Sequence, residues 1–410
     1  MSAPTQSEHP LQQSAPFDFQ AKSFALLLVA NFAFFLSFSL YFLIPLYIKK
    51  LGGSESDIGQ IMFAGGVATL ISIPQVGSLI DRYGRKRFLI LGALAMVVGN
   101  SGYLLVDRVG PMIYAVRVLQ GASFAFAFTT AGTMAADFLD PARRSWGLGL
   151  FGVATLITHA IGPSAAEWIV DGWGFVPLFL TGTALALFST IIATQLPEPA
   201  QAPVHPEHHG APPPSYFTVM RRYNLTFATI LNFTCGAGFG SIIMFLPTYV
   251  DILHLPKVSP FFVSYSLVAV FLRLTAGSLP DRYGKQRFII PCAIGYVLCV
   301  AATSYLDSTF YLTMLGGALG VAHGMLYPVL NALVVDRVEG TGALGKGMGL
   351  YVGSFNAGVT MTSLSSGYLA ESFGYPAMFR TSALVTAVGA ALYIWNEVRV
   401  QRSARMTAAA

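Results

Sequence analysis

The chain has 410 residues, of which 54% are hydrophobic and only 10% charged, with a formal net charge of +5 and a mean hydropathy of +0.61. Soluble domains carry about 25% charged residues, so the composition excludes an ordinary water-soluble protein and points to a lipid bilayer. The basic residues sit in short loops beside apolar runs rather than on one helix face, which argues against a nucleic-acid partner.

The first twenty residues are polar, and the apolar run that follows is too long for a signal peptide. It is expected to remain as the first spanning helix. A span needs roughly 20 apolar residues, and such runs lie near 22–48, 56–80, 87–106, 111–137, 145–169, 174–196, 222–250, 259–280, 287–306, 309–335, 345–369 and 374–396. The expected fold is an all-α membrane protein with twelve transmembrane helices in two pseudo-symmetric six-helix bundles, 22–196 and 222–396. Tails over 1–21 and 397–410 and a linker over 197–221 complete the chain. The linker is rich in Pro, Ala and His and is expected to be flexible. Its His205, His208 and His209 have no fixed geometry and no cysteine nearby, so no metal and no cofactor are expected. Cys235, Cys292 and Cys299 all fall inside predicted helices and read as packing residues.

Between helices two and three, GSLIDRYGRKRFLI (Gly77–Ile90) returns between helices eight and nine as GSLPDRYGKQRFII (Gly277–Ile290), identical at ten of fourteen positions. The duplication extends further. Asn31-Phe32 with Pro45 and Tyr47 corresponds to Asn232-Phe233 with Pro247 and Tyr249, Asp137 to Asp336, and GWGFVPLF (172–179) to SFGYPAMF (372–379). Parallel repeats of this kind build transporters. Seventeen Lys and Arg residues fall on the side of the termini and repeated loops, against four on the other, which predicts that the termini and these loops face the cytoplasm.

Asp81, at the end of helix two, is expected to meet the unpaired amides at the start of helix eleven near Gly345, and Asp281 those of helix five near Ser145. Each such contact is worth about 0.3–1 kcal/mol when exposed. Such contacts would hold that side shut and break when it opens, so the repeated loops, with Gly77, Asp81 and Arg82 in the first copy and Gly277, Asp281, Arg282 and Gly284 in the second, are the expected gating loops. Pro280 is expected to loosen the end of helix eight, leaving the Asp81 loop the stronger latch.

The loop pattern G-x-L-x-D-R-x-G-R-K/R-x, present in both halves, resembles the signature loop of the major facilitator superfamily. RVLQG (Arg117–Gly121) resembles that family's helix-four motif, and GWGFVPLF the segment entering helix six. The resemblance implies two six-helix bundles around a central cavity, rocking in alternating access, with helices one, four, seven and ten lining it. It also assigns Asp81, Gly84 and Arg85 to the gating loop and implies a proton-coupling role for Arg117, the latter carried by Arg117, Gln120 and Gly121 alone. The step Gly162-Pro163 within GLGLFGVATLITHAIGPSAAEW resembles the helix-five motif of antiporting exporters, with departures at Thr158, Ala166 and Glu167. Export is favoured over import on that basis.

An arginine within a span needs a cavity or partner, so Arg117 reads either as a coupling residue or as a structural one. His159 and His323 are the other coupling candidates, since imidazole alone titrates near neutral pH; the alternative is a neutral histidine bonded between helices. Arg273 reads as snorkelling or anchoring the gate rather than as a solute ligand. The polar residues in otherwise apolar runs, Asn31, Tyr41, Gln120, Asn232, Tyr327, Asn331 and Asn356, are solute-contact candidates, each also able to serve as a helix–helix hydrogen bond. Phe124, Phe126 and Phe128 cannot all face one cavity. Helix one has no acidic residue and the carboxylates lie near span ends, which favours a neutral or anionic solute. No nucleotide-binding loop and no nucleophile–base constellation appears, so neither ATP-driven transport nor an enzyme is expected. The reading is a secondary active transporter in a bacterial inner membrane that effluxes a small organic solute (drug, sugar or metabolite) coupled to protons. The alternatives are a symporter or uniporter importing a sugar or organic acid, and a non-transporting membrane sensor or scaffold.

Overall fold

The computed structural model describes residues 17–140, 144–199, 215–339, 341 and 343–409, and among them there are helices and no strand. The first span, α1, runs Phe17–Leu40, tightens to a 3-10 turn at Tyr41–Leu43, and continues as Ile44–Lys50. Pro45, which lacks an amide hydrogen, sits at the start of that last piece. Then follow α2 (Glu55–Tyr83), α3 (Arg85–Gly102), α4 (Pro111–Asp137), α5 (Arg144–Trp173) and α6 (Phe175–Gln195). The second half has α7 (Thr226–Ile252), α8 (Ser259–Thr275 with a separate turn of helix at Leu279–Tyr283), α9 (Gln286–Ala302) and α10 (Thr309–Val338). A last helical stretch, Leu344–Ala409, bends at Gly374 into α11 (344–373) and α12 (375–409).

Ten stretches are long and apolar enough to cross a membrane. One of them, Leu344–Arg402, is α11 and α12 together, and the shorter apolar helix Ser259–Thr275 is α8. The chain is therefore an all-α, multi-pass membrane protein with twelve spans in two six-helix bundles. Glycines at positive φ make the equivalent turns in both halves: Gly84 (90°) and Gly284 (95°) after α2 and α8, Gly174 (83°) and Gly374 (80°) before α6 and α12. A side chain with a Cβ strains in that region of backbone space, which is why glycine recurs there.

Three segments gain detail. The apolar run 259–280 is not one continuous helix: it stops at Thr275 and restarts at Leu279, where Pro280 has no amide to donate back and its ring opposes the carbonyl four residues earlier. Within the expected linker, Tyr216–Arg222 forms a short helix capped by the Ser215 side chain; residues 200–214, with the three linker histidines, lie outside the described residues. The final segment 397–409, expected as a tail, is a helical continuation of α12.

Within each bundle, small residues let backbones approach, as expected where lipid removes any hydrophobic drive between helices. A Cβ on Gly121 of α4 would run into the Gly65 carbonyl of α2, and one on Gly236 of α7 into the Phe355 carbonyl of α11.

Candidate functional site

The two bundles are joined by hydrogen bonds at one end of the helices, whereas the described residues show no such bond at the loop end. At the end opposite the repeated loops, Glu167 near the end of α5 accepts the amide hydrogens of Val258 and Ser259 (3.2 Å) at the start of α8. The mirror contact joins α11 to α2: Glu371 accepts the Ser56 amide (3.0 Å) and the Ser56 hydroxyl. Both carboxylates sit on first-turn amides that have no partner within their own helix, where the helix dipole also favours negative charge. Gln60 of α2 donates to the Tyr368 hydroxyl of α11 (3.0 Å), and Lys257 pairs with Asp171 (3.4 Å). The backbones touch as well: a Cβ on Gly59 would lie 2.6 Å from the Ser363 carbonyl.

At the loop end, a Cβ on Gly77 of α2 or on Gly345 of α11 would meet nothing within 4 Å. Asp81 is exposed and makes no hydrogen bond or ion pair among the described residues, so it does not meet the start of α11 in this conformation. Among the described residues Asp281 pairs only with Lys285 on its own loop (3.3 Å). What anchors the first loop is Arg85, whose guanidinium pairs with Asp137 at the end of α4 (2.7 Å), and Glu198, whose carboxylate takes the Arg85 and Lys86 (3.0 Å) amides at the start of α3. In the second loop, Lys285 pairs with Asp336. Partial burial opposes the Lys285 charge, but the Asp336 and Asp281 carboxylates outweigh it and raise its pKa.

Between these ends lie the interior polar residues. Arg117 donates to the Gln120 carbonyl oxygen (3.0 Å), lies against the Met62 sulfur, and has no carboxylate partner among the described residues. Gln120 passes the chain to Asn100 (2.7 Å), Asn100 to Ser37 (2.8 Å), and Ser37 to the Gly182 carbonyl (2.7 Å), tying together α4, α3, α1 and α6. Gln120 is thus turned into the bundle rather than toward a cavity. So is Tyr41, packed between Tyr103 and Phe179. Asn31 donates to Thr155 of α5 (3.2 Å) and Asn232 to the Tyr351 carbonyl of α11 (2.6 Å), while Asn356 bonds back to Val352 of its own helix. Tyr327 and Asn331 are half-buried on α10, and the Asn331 carbonyl oxygen has no partner among the described residues.

His159 donates to the Thr155 carbonyl one turn back (3.0 Å) and rests on Phe42. His323 is enclosed by rings and bonded to the Tyr265 hydroxyl (2.8 Å). On α5, Gly162 lies so close to Ser39 of α1 that a Cβ would collide with its side chain. Thr158, one turn before, bonds to that same Ser39. Pro163 lies inside this helix. Phe124 and Phe128 stack on each other (5.4 Å) beside Phe35 and Phe38, whereas Phe126 turns to Phe88 of α3 (6.0 Å).

The family model described as Major Facilitator Superfamily matches residues 26–309 and again 258–409. The chain belongs to the Major Facilitator Superfamily. As a member of that superfamily it is 26% identical, over 380 residues, to the multidrug resistance protein MdtG of Salmonella typhimurium, covering 88% of this chain and 91% of MdtG. Its fold is that of the solved nucleoside transporter NupG, with TM-score 0.70, 16% identity, and coverage of 91% and 98% of the two chains. The human organic anion transporter MFSD10 is similar in fold at TM-score 0.68 and 16% identity, covering 93% and 100%.

Several residues of this superfamily member escape a reading of sequence alone. Glu167 registers only as a span-end carboxylate and a departure from the helix-five motif, and Glu371 not at all, although both follow an alanine and stand seven and three residues before the matching Gly174 and Gly374. One helical turn separates their registers, so both present to the same face. Glu198 is hidden in a segment that reads as a flexible linker. Tyr265 and Phe239 are lost among ordinary aromatic residues of apolar spans.

Proposed function

We propose that this chain is a secondary active transporter that exports a small organic solute in exchange for protons, with its loop end in the cytoplasm of a bacterial inner membrane. The observation that carries the reading is the pair of mirrored carboxylate contacts, Glu167 on α8 and Glu371 on α2, at one end only. A protein that closes one end with symmetry-related latches while the other end parts has the geometry of one limb of an alternating-access cycle. The cytoplasmic assignment follows from the concentration of Lys and Arg at the parted end. In the other limb, Asp81 and Asp281 take up the free first-turn amides of α11 and α5 while the Glu167 and Glu371 contacts release. Gly77, Gly84 and Arg85, with Gly277, Arg282 and Gly284 opposite, shape those loops.

Efflux is supported by the likeness to MdtG, a protein named for multidrug resistance, and by the Gly162-Pro163 step packed on α1. For coupling, Arg117, with no carboxylate partner inside a span, and the enclosed His323 and His159 are the groups whose charge state a passing proton alters. The test is accumulation in oriented membrane vesicles of a solute chosen by thermal-shift screening. Inside-out vesicles with an acidic lumen accumulate it if the protein is a proton-exchanging exporter. Accumulation only in right-side-out vesicles, driven by protons moving with the solute, would replace export by symport.

A further inference from the structure

The two halves present matching aromatic walls of unequal chemistry. The register that pairs Asn31 with Asn232 pairs Phe38 with Phe239, and the register that pairs Asp137 with Asp336 pairs Phe124 with His323 and Phe128 with Tyr327. The first wall is all phenylalanine: Phe38 lies 5.0 Å from Phe124, which stacks on Phe128 at 16°. In the second wall, His323 stacks on Phe239 (4.7 Å, 21°) and stands 5.7 Å from Tyr327 and 5.8 Å from Phe355. Phe38, Phe124 and Phe128 are half-buried, as are Phe239, Tyr327 and Phe355, so each wall leaves ring surface uncovered. Phe42 and Phe262 join the walls across the bundles at 5.6 Å.

His323 carries an unsatisfied polar atom. It is 8% exposed, its Nδ1 is 2.8 Å from the Tyr265 hydroxyl, and its Nε2 has no partner among the described residues. If Nδ1 carried the hydrogen, the Tyr265 hydroxyl would also lack an acceptor among the described residues, leaving two orphans instead of one. The hydroxyl therefore donates to Nδ1, and Nε2–H is the single orphan, a donor. A buried donor without an acceptor is costly and calls for an explanation, of which a ligand is one. Nearby, Arg273 reaches across to α5, where a Cβ on Gly152 would lie 2.5 Å from its Nη1, and it has no acidic partner among the described residues.

Resting on the transport reading above, we propose that the solute is a planar aromatic molecule bearing an anionic or hydrogen-bond-accepting group. Its ring stacks between the two walls, and its acceptor takes the His323 Nε2 hydrogen with the Arg273 charge nearby. The all-phenylalanine wall supplies ring contact without polarity, and the His323 wall sets which end of the solute points where. Because Nε2 is enclosed, Tyr327 or Phe239 turns aside as the solute enters.

The experiment measures binding of 2-naphthoate, its fully saturated decahydro analogue and 2-methylnaphthalene to the purified full-length protein. Wild type is expected to bind 2-naphthoate about tenfold tighter than either comparison compound. His323→Phe, which places the first wall's residue in the second, is expected to abolish the advantage over 2-methylnaphthalene while keeping the advantage over the saturated acid. His323→Gln, which restores a donor near the Nε2 position, is expected to recover it. Phe124→Leu is expected to show the reverse pattern, losing ring preference alone. Equal binding of 2-naphthoate and the saturated acid by wild type, or an unchanged carboxylate preference in a folded His323→Phe, overturns the proposal. If that happens while vesicles still accumulate some solute against a proton gradient, the transport reading stands; absence of any proton-driven accumulation with the binding preferences intact removes the transport reading instead.

Discussion

In the first half of the duplication, α2 runs unbroken to Tyr83, Arg85 and Asp137 form an ion pair with side chains only 10% and 15% exposed, and Glu198 caps α3. In the second half, α8 breaks before Pro280, and Lys285 is shared between Asp281 and Asp336, whose side chains are 66% and 53% exposed. The aromatic walls differ as well, with phenylalanine in the first half where the second has His323 and Tyr327. The two copies of the scaffold thus differ in two places: one holds its loop firmly and has an apolar aromatic wall, while the other has a looser loop and a polar aromatic wall. In this conformation the firmness comes from Arg85, Asp137 and Glu198, not from Asp81.

The largest expected effect follows from breaking the enclosed ion pair. Asp137→Ala leaves Arg85 unpaired and should cost toward the lower end of the roughly 3–5 kcal/mol typical of buried pairs. Asp336→Ala removes a solvent-screened partner and should cost at most about 1 kcal/mol. Unfolding of the two variants in matched detergent micelles checks this, and equal losses would erase the difference between the halves. Next in size, Glu167→Ala strands two amides and should shift the protein toward opening of the latched end by about 1.5–3 kcal/mol, the range for hydrogen bonds to a charged group. Glu371→Ala, on an exposed carboxylate, should shift it less; thiol labelling rates of cysteines placed beside each latch report both.

Glu198→Gln should weaken the α3 cap by about 1 kcal/mol. The expected sign is faster hydrogen exchange at the Arg85 and Lys86 amides, with no change at the Gln286 and Arg287 amides of the other half. The smallest effect is expected from Pro280→Ala. It restores a donor to the end of α8 and should slow amide exchange over 276–283, making the second half more like the first. Unaltered exchange there would mean that the break has another cause.

The twelve spans and the duplication were legible because apolar length and a repeated basic loop are local signals. The positions of Asn31, Gln120 and Asn232 were legible as polar residues in spans, but not their partners, since Thr155, Asn100 and Tyr351 lie on other helices. Glu198 and Glu371 were obscured for a physical reason: a carboxylate capping another helix leaves no pattern in its own segment. The difference between the aromatic walls is present in the sequence, yet it emerges only after the two halves are aligned in register and the rings are seen to meet.

The most direct measurement is of spin-label distances at both ends of the protein, with Cys235, Cys292 and Cys299 replaced by alanine. One pair sits at Gly77 and Gly345, where side chains have free space, and the other at Gly172 and Ile252, both exposed at the latched end. Alternating access predicts two populations, in which a shorter 77–345 distance accompanies a longer 172–252 distance, with proton gradient and solute moving the balance. Distances that stay fixed at both ends, or that lengthen and shorten together, would contradict the account.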